Sequence, residues 1–478
     1  MVPTPAAHPE PPLCVDLDGT LVRTDTLLES LLILLKSRPW LFFLLPIWLL
    51  QGRAATKRRL AELVDLPVDT LPYHQDLLRL LRDEGGRGRT LVLATGADER
   101  LAQRVAKHLG CFSEVLASDG RANLTGRRKA QALVARFGSN GFDYAGNDRR
   151  DLPVWRHARR ALLVAAPARL VRRVRRFHPQ VQVVGVPLQA YRVLPRALRV
   201  YQWLKNLLVL VPLVAAHHFR ELALWGQAGL AFLSFSLVAS GIYLINDLLD
   251  LEADRRHHQK RFRPLAAGEL PLTYAPPLAL VLLGGGFLTA GGLPWAFSGL
   301  LGLYVILSLL YSLYVKRLAL MDVCLLALLY TIRIFAGGEA TRIVISYWLL
   351  TFSLFFFLSL AFLKRWAELQ SQAGNPHALP GRGYSAVDLE AVAAMGTASG
   401  YIAVLVFALY INSTTVAALY RHPHLLWLII PLLLYWVSRL WLLARRGEVQ
   451  EDPILFALKD RGSYAVAALF GGIFLLAR

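Results

Sequence analysis

The sequence predicts an α/β parallel-sheet domain with a helical cap, followed by an all-α membrane bundle of about nine transmembrane helices. Three observations carry this. From about Tyr201 to the end, apolar runs of roughly 15–24 residues recur, the length that crosses a bilayer. Before that point, short buried-strand patterns alternate with helical ones, as in a parallel sheet. Basic residues cluster in the loops between the long apolar runs, as in membrane proteins with positive cytoplasmic loops. The chain has 478 residues, enough for two or three domains, and its 55% hydrophobic content and mean hydropathy of +0.42 suit a membrane protein.

The strands come in order. LCVDLDGT (13–20) is a short buried strand running into a turn, and TLVLATG (90–96), FDYAGND (142–148) and ALLVAAP (161–167) are three more. Helical patterns separate them, for example Glu99 to Leu109 and Lys129 to Phe137. Residues 27–50 are strongly apolar, but Lys36, Ser37, Arg38 and Pro39 cut the run into pieces too short to span. This segment reads as a cap dipping into the membrane interface, the plainer alternative being a buried pair of cap helices. The domain is expected over 13–185 with its cap at about 25–85, after a disordered 1–12 that lacks the basic and apolar regions of a signal peptide. A basic linker follows at 186–200, and the bundle occupies 201–478.

Nine spans are expected at roughly 201–216, 222–246, 274–292, 295–315, 319–337, 345–363, 390–412, 424–443 and 463–477. Arg255, Arg256, Lys260, Arg261 and Arg263 share one loop, and Lys316, Lys364, Arg365, Arg382, Arg445, Arg446, Lys459 and Arg461 fall on the same side. By the positive-inside rule that side is cytoplasmic, which puts the N-terminal domain in the cytoplasm and the C-terminus outside. The net charge is +20, and because basic residues cluster in loops between apolar runs, anionic headgroups and phosphorylated substrates are the expected partners and nucleic acid is not. Cys14, Cys111 and Cys324 are far apart, with no CxxC pair, and suggest neither a metal cluster nor a disulfide framework.

Two acidic motifs carry chemistry. Asp16 and Asp18 follow the first strand on a glycine turn, where one carboxylate can attack phosphorus while the other shuttles a proton. Asp247, Asp250 and Asp254, at i, i+3 and i+7, would form one acidic stripe on a helix at the end of a span, suited to magnesium bound to a diphosphate. Lys260 and Arg263 follow and could contact phosphates. Arg333 lies well inside a span, where a charge faces the bundle interior; an ion pair with Glu339 is its structural alternative.

Asp16-Leu17-Asp18-Gly19-Thr20 resembles the first motif of the haloacid dehalogenase (HAD) superfamily of phosphatases. Thr95 fits its second motif, Lys129 its third, and Gly146-Asn147-Asp148-Arg149-Arg150-Asp151 its fourth, with Asn147 where an Asp is usual. The resemblance implies Asp16 as nucleophile and Asp18 as general acid and base. It also implies Thr95 and Lys129 on the phosphoryl group, and Asp16, Asp18, Asp148 and Asp151 near magnesium.

Asn246-Asp247-x-x-Asp250-x-x-x-Asp254 closely resembles the first motif of UbiA-type polyprenyl transferases, and Tyr311, Lys316 and Asp322 fit their second region. Members that ionise a prenyl diphosphate usually carry a further Asp where this chain has Leu326. Other positions are similar to the decaprenyl-phosphate phosphoribosyltransferase branch: Gln202, Lys205 and Asn206; Arg333 before Ala336-Gly337-Gly338; Lys364, Arg365 and Glu368; and Glu451-Asp452 before Lys459-Asp460-Arg461. That resemblance implies phosphoribosyl pyrophosphate as donor, polyprenyl (decaprenyl) phosphate as nucleophile, and magnesium at Asp247, Asp250 and Asp254. The N-terminal domain would then remove the 5-phosphate, giving polyprenyl-phosphoryl-ribose for a cell-wall arabinan precursor. The setting would be the inner membrane, with membrane lipids as neighbours and a homo-oligomer allowed. Two other readings stand beside it: prenyl transfer to an aromatic acceptor, which Leu326 argues against, and a transporter or lipid-binding protein with a regulatory domain, for which no paired broken helices or inverted repeat are seen.

Overall fold

A computed structural model of the chain describes residues 10–187, 189–371, 383–413, 420–449, 452–457 and 459–478. It divides into two compact units, Met1–Arg199 with Tyr243–Leu280, and Val200–Ile242 with Val281–Arg478.

The first unit is built on six parallel strands: β1 (Leu13–Val15), β2 (Leu91–Asp98), β3 (Glu114–Ser118), β4 (Asp143–Gly146), β5 (Ala161–Val164) and β6 (Val181–Val184), in the order β3-β2-β1-β4-β5-β6. Alternation across the pleat explains why the central strands are apolar throughout. Leu13, Val15, Leu91 and Leu93 enter one core, while Cys14, Val92, Ala94 and Tyr144 enter the core on the opposite face. The four expected strands are present. The two further ones, β3 and β6, form the sheet edges, where half-exposed positions interrupt the apolar run that marks a central strand.

Between β1 and β2 lies the cap: α1 (Thr26–Ser37), a 3-10 turn at Pro39–Leu44, a short helix at Leu45–Leu50, α2 (Arg53–Leu63) and α3 (Gln75–Gly86). Asp25 starts α1 by accepting from the amides of Leu27 and Leu28 at 3.0 and 3.1 Å. Leu34, Trp48, Leu60 and Val64 form the cap's own small core, whereas Trp40, Phe43, Ile47, Leu49 and Leu50 remain exposed. Two helices flank the sheet: α4 (Glu99–Leu109), stopped by Gly110 at φ +64°, and α5 (Arg127–Phe137). Residues 1–9 of the expected disordered terminus lie outside the described residues. Pro11 and Pro12 are held, their carbonyls accepting from Arg89 and from the Asp143 amide.

The same unit contains Tyr243–Leu280, the end of α6 (Leu222–Leu249) followed by α7 (Leu251–Arg256). A bidentate ion pair joins Arg255 of α7 to Glu29 of α1 at 2.6 and 2.8 Å, with both side chains buried. Arg196 adds contacts to Glu269 and to the Phe262 carbonyl at 2.7 and 2.8 Å. Gly268, at φ +66°, lies so close to Arg23 that a β-carbon there would sit 2.5 Å from the Arg23 Cβ.

The second unit is helical: most of α6, then α8 (Ala275–Ala290), α9 (Trp295–Leu313), α10 (Met321–Thr341), α11 (Tyr347–Gln370), α12 (Leu389–Ile411), α13 (Ile429–Arg445) and α14 (Arg461–Ala477). Among the described residues, seven helices are long and apolar enough to cross a membrane, or eight if the bent pair Ala190–Ala197 and Val200–Ala215 counts as one. All nine expected segments are helical, but the two outermost differ from simple spans. The first is a 3-10 helix, Val200–Leu210, running into a short α-helix at Val211–Ala215 with Pro212 near its start. The ninth, α14, has 17 residues. Small residues allow close helix approach. A β-carbon on Gly337 would lie 2.0 Å from the Val209 carbonyl oxygen, and one on Gly396 2.2 Å from the Trp441 ring.

Candidate active sites

The first site lies where β1, β2 and β4 end. Asp16 leaves β1 with its amide bonded to the Ala145 carbonyl at 3.0 Å, which fixes it between the strands. Lys129, in the first turn of α5 and buried, reaches Asp16 Oδ1 at 2.7 Å and the Tyr144 hydroxyl at 3.0 Å. Tyr144 donates in turn to Asp151 Oδ1 at 2.8 Å, and the other Asp151 oxygen accepts from the amides of Asn147 and Asp148, each at 3.1 Å. Asp18 accepts from the Thr26 amide at 2.8 Å, so the general-acid candidate also holds the start of the cap helix. Thr95 is fully buried and accepts from the Ala97 amide at 3.0 Å.

Burial dominates the electrostatics. It raises the Asp16 carboxyl, opposed by the Lys129 ammonium. It pushes Asp18 up to about 6, helped by the Asp25 carboxylate, and Asp151 to about 6, helped by Asp16. Burial alone would lower Lys129; the carboxylates of Asp16 and Asp151 outweigh it and hold the ammonium above its usual range.

The four sequence motifs therefore converge, with two qualifications. Asp148 points outward, capping Arg149 and lying 3.7 Å from Arg150, while Asp151 is turned inward onto Tyr144 and the loop amides. Asn147 reaches the motif: a β-carbon on Gly19 (φ +74°) would sit 2.2 Å from its Nδ2. Two residues at the site carried no motif signal. Lys57 on α2 reaches the Gly96 carbonyl and lies 3.1 Å from Asn123 Oδ1. Burial lowers its ammonium, against the pull of Asp18 and Asp25. Tyr144, the other, reads in sequence as a core residue of β4.

The second group is the acidic loop of the first unit. The expected single helical stripe is broken at Asp250: α6 ends at Leu249, and Asp250, at φ −99° and ψ 13°, caps α7. The carboxylates still gather. Arg263 Nη1 lies 3.3 Å from Asp247 Oδ1 and 2.6 Å from Asp254 Oδ2, and Arg199 also pairs with Asp247. Asn246 Oδ1 is buried without a hydrogen-bond partner. Lys260 is half-buried in the 3-10 turn after α7.

The third group lies inside the second unit. Arg333 donates to Asn206 Oδ1 at 2.9 Å, to the Tyr304 hydroxyl at 2.8 Å and to the Leu329 carbonyl of its own helix, so its side-chain partners lie on two other segments rather than at Glu339. Asn206 also donates to Ser236 at 3.1 Å, and Lys205 pairs with Asp452. Arg365 pairs with Asp322 at 2.5 Å, both fully buried, and also with Glu368. The Tyr384 hydroxyl donates to Asp322 at 2.7 Å. Gln202 has a buried, unpartnered side-chain oxygen. Tyr311, Lys316 and Lys364 are half-buried, and Lys459 and Arg461 are exposed. Glu451 lies outside the described residues.

Magnesium fits the donors of the first two groups, which are oxygen throughout. Among the described residues, no three His, Cys, Asp or Glu side chains gather into a metal-holding set by themselves. Magnesium ordinarily takes one or two carboxylates and completes its sphere with water and substrate phosphate. Asp16 at the end of β1, and Asp247 with Asp254 across Arg263, are carboxylates that could serve so.

Fold and side chains define an integral membrane protein whose helical bundle follows an α/β domain built on a parallel sheet. Residues 207–460 match the UbiA prenyltransferase family, and the chain belongs to it. It is 37% identical over 472 residues to the uncharacterized protein y4nM of Sinorhizobium fredii, covering 98% of this chain and 91% of that one, so the two-part order is shared. It is 36% identical to the nodulation protein NoeC of Azorhizobium caulinodans over 59% of this chain and 92% of that one. It is 38% identical to the decaprenyl-phosphate phosphoribosyltransferase of Mycolicibacterium smegmatis over 39% of this chain and 60% of that one.

Proposed function

We propose that the chain is a bifunctional enzyme that makes polyprenyl-phosphoryl-ribose. In the first reaction, a polyprenyl-phosphate oxygen attacks the anomeric carbon of phosphoribosyl pyrophosphate, the bond from that carbon to pyrophosphate breaks, and pyrophosphate leaves. Asp247, Asp250 and Asp254 would hold magnesium together with the diphosphate, with Lys260 and Arg263 on its phosphates. Lys205, Asn206, Arg333, Lys316 and Lys364 are assigned to the remaining phosphates, with Gln202, Tyr311, Glu368, Lys459 and Arg461 as further substrate contacts; Arg365, fully buried on Asp322, is assigned to structure instead. The metal supplies positive charge to the departing pyrophosphate.

The second reaction removes the 5-phosphate. Asp16 attacks phosphorus, and Asp18 protonates the departing 5-oxygen. Water, deprotonated by Asp18, then releases phosphate from Asp16. The raised carboxyl of Asp18 suits this double role. Lys129 supports it by offsetting the burial that would otherwise neutralise the nucleophile. Both reactions are placed on the cytoplasmic face of the inner membrane, from the loop charges, and the product is assigned to cell-wall arabinan precursor synthesis.

The observation that carries the choice of donor is the state of Asp322. Its carboxylate is sealed against Arg365 and Tyr384, and Leu326, one turn on, packs in the apolar core. This region offers no second acidic clamp for ionising a prenyl diphosphate. The test is to incubate the purified protein with polyprenyl phosphate, labelled phosphoribosyl pyrophosphate and magnesium, and to identify the lipid product. Lipid-linked ribose is expected from wild type, and the 5-phosphorylated lipid from Asp16→Asn. Prenylation of an aromatic acceptor with no lipid-linked sugar would overturn the assignment.

A further inference from the structure

The HAD-like region carries an apolar surface that its own reaction does not explain. Among its described residues up to 187, ten large hydrophobic side chains are exposed, and seven of them are Leu35, Trp40, Phe43, Leu44, Ile47, Leu49 and Leu50. Phe43 is 81% exposed and Leu50 88%, far beyond what scattered surface residues of a water-facing domain require. The segment still has an inner face: Trp48 and Leu34 pack on Leu60 and Val64 of the cap. The outward residues are thus held in place rather than left by a frayed loop. Lys36, Arg38 and Arg53 flank them, all exposed and without a carboxylate partner among the described residues.

We propose that residues 35–50 form a monotopic anchor that sits in the interfacial layer of the bilayer. The occupant is lipid, for three reasons. Trp, Phe, Ile and Leu on one side with cations at the rim are the pattern of an interfacial segment. The unpaired cations match anionic headgroups. A bilayer is always adjacent, because the same polypeptide spans it. The anchor leads directly into the HAD-like site. Residues 51–52 connect it to α2, and Lys57 of α2 reaches Gly96 beside Thr95. At the other end, α1 starts at Thr26, whose amide Asp18 holds. Seating residues 35–50 in the interface brings the mouth beside Asp16 to the depth of a lipid phosphate. This last step rests on the phosphatase reading above; the anchor does not.

The test uses the full-length protein in nanodiscs of phosphatidylcholine and phosphatidylglycerol. With Cys111→Ser and Cys324→Ser as background, a nitroxide is placed at Phe43→Cys or Leu50→Cys, and at Arg87→Cys as an exposed control. Labels at 43 and 50 are expected to meet oxygen and be shielded from a water-soluble nickel chelate, while that at 87 is open to the chelate. Equal chelate access at all three positions overturns the anchor. The combined variant Trp40→Ser, Phe43→Ser, Leu50→Ser should lose about tenfold or more in turnover of a lipid-linked phosphate monoester, while hydrolysing p-nitrophenyl phosphate as wild type does. Equal turnover of both esters overturns the delivery role. A wild type that hydrolyses neither overturns the phosphatase reading, and with it the delivery role, while the label depths still decide the anchor.

Discussion

Asp247 and Asp322 both belong to regions that resemble family motifs, and both are answered by arginine, yet they are held in opposite ways. Asp247 pairs with Arg199 and shares Arg263 with Asp254, and these two guanidinium side chains are 14% and 28% exposed. Asp322 and Arg365 are both fully buried, with Tyr384 closing the remaining side. A partly solvated guanidinium can move aside for a metal and a diphosphate at little cost. A sealed pair cannot, because removing one partner strands a charge in a low-dielectric interior. Similar acidic signals in sequence thus correspond to a group available for exchange and a group committed to structure.

The sharpest test of this contrast is Asp247→Asn or Asp250→Asn. Each should lower magnesium-dependent transfer by about 10³-fold or more, the scale of losing an electrostatic group acting on developing charge. Melting should stay near wild type. Full transfer in either variant, measured as lipid-linked ribose, would break the comparison at its catalytic end.

At the structural end, Asp322→Asn should cost about 3–5 kcal/mol by leaving Arg365 uncompensated. It should leave the magnesium dependence of residual transfer unchanged. Asp322→Leu combined with Arg365→Met should recover much of the lost melting temperature, since the pair would be replaced by apolar volume. A magnesium requirement that moves with Asp322→Asn would show that this carboxylate does bind metal.

The smallest expected effect belongs to His74, buried and with its pKa lowered to about 4 by burial and by Arg23. In the unfolded chain it titrates near the ordinary histidine value of 6.5, so folding releases a proton between these values. Its contribution is present above 6.5 and is lost as pH falls toward 4. Relative to His74→Gln, wild type should lose about 2 kcal/mol of stability between pH 7 and pH 5. Asp18 and Asp151, raised to about 6, act with the opposite sign and cancel in the difference between the two proteins. Parallel melting curves against pH would remove His74 from this role.

Much of the architecture was legible because it rests on local periodicity. The pattern from Glu99 to Leu109 predicts α4 to the residue, and that at 129–137 lies within α5. What escaped has identifiable causes. Edge strand β3 is only partly buried at four of its five positions and β6 has two exposed ones, and Glu114 and Gln182 keep their sequences from reading as continuous apolar runs. Lys57 is far from Asp16 in sequence, and only the path of the cap brings it to β2. Tyr144 reads as core because its ring is core; its hydroxyl alone joins Lys129 to Asp151. Arg333 was legible as a charge facing inward, but its partners Asn206 and Tyr304 are 127 and 29 residues away. Glu339, the nearby candidate, lies two turns further along the same helix.

The Glu29–Arg255 pair bears on how this protein can be taken apart. Cutting the chain after residue 199 would remove Arg255 while leaving Glu29 enclosed by the cap, so the excised phosphatase-like piece would carry a buried anion with nothing to answer it. Fragment expression, the usual route to a soluble half of a membrane enzyme, should therefore give poorly folded material unless Glu29→Gln is introduced. In genetic terms, the two parts of the chain are tied by a structural debt, which favours keeping them in one reading frame.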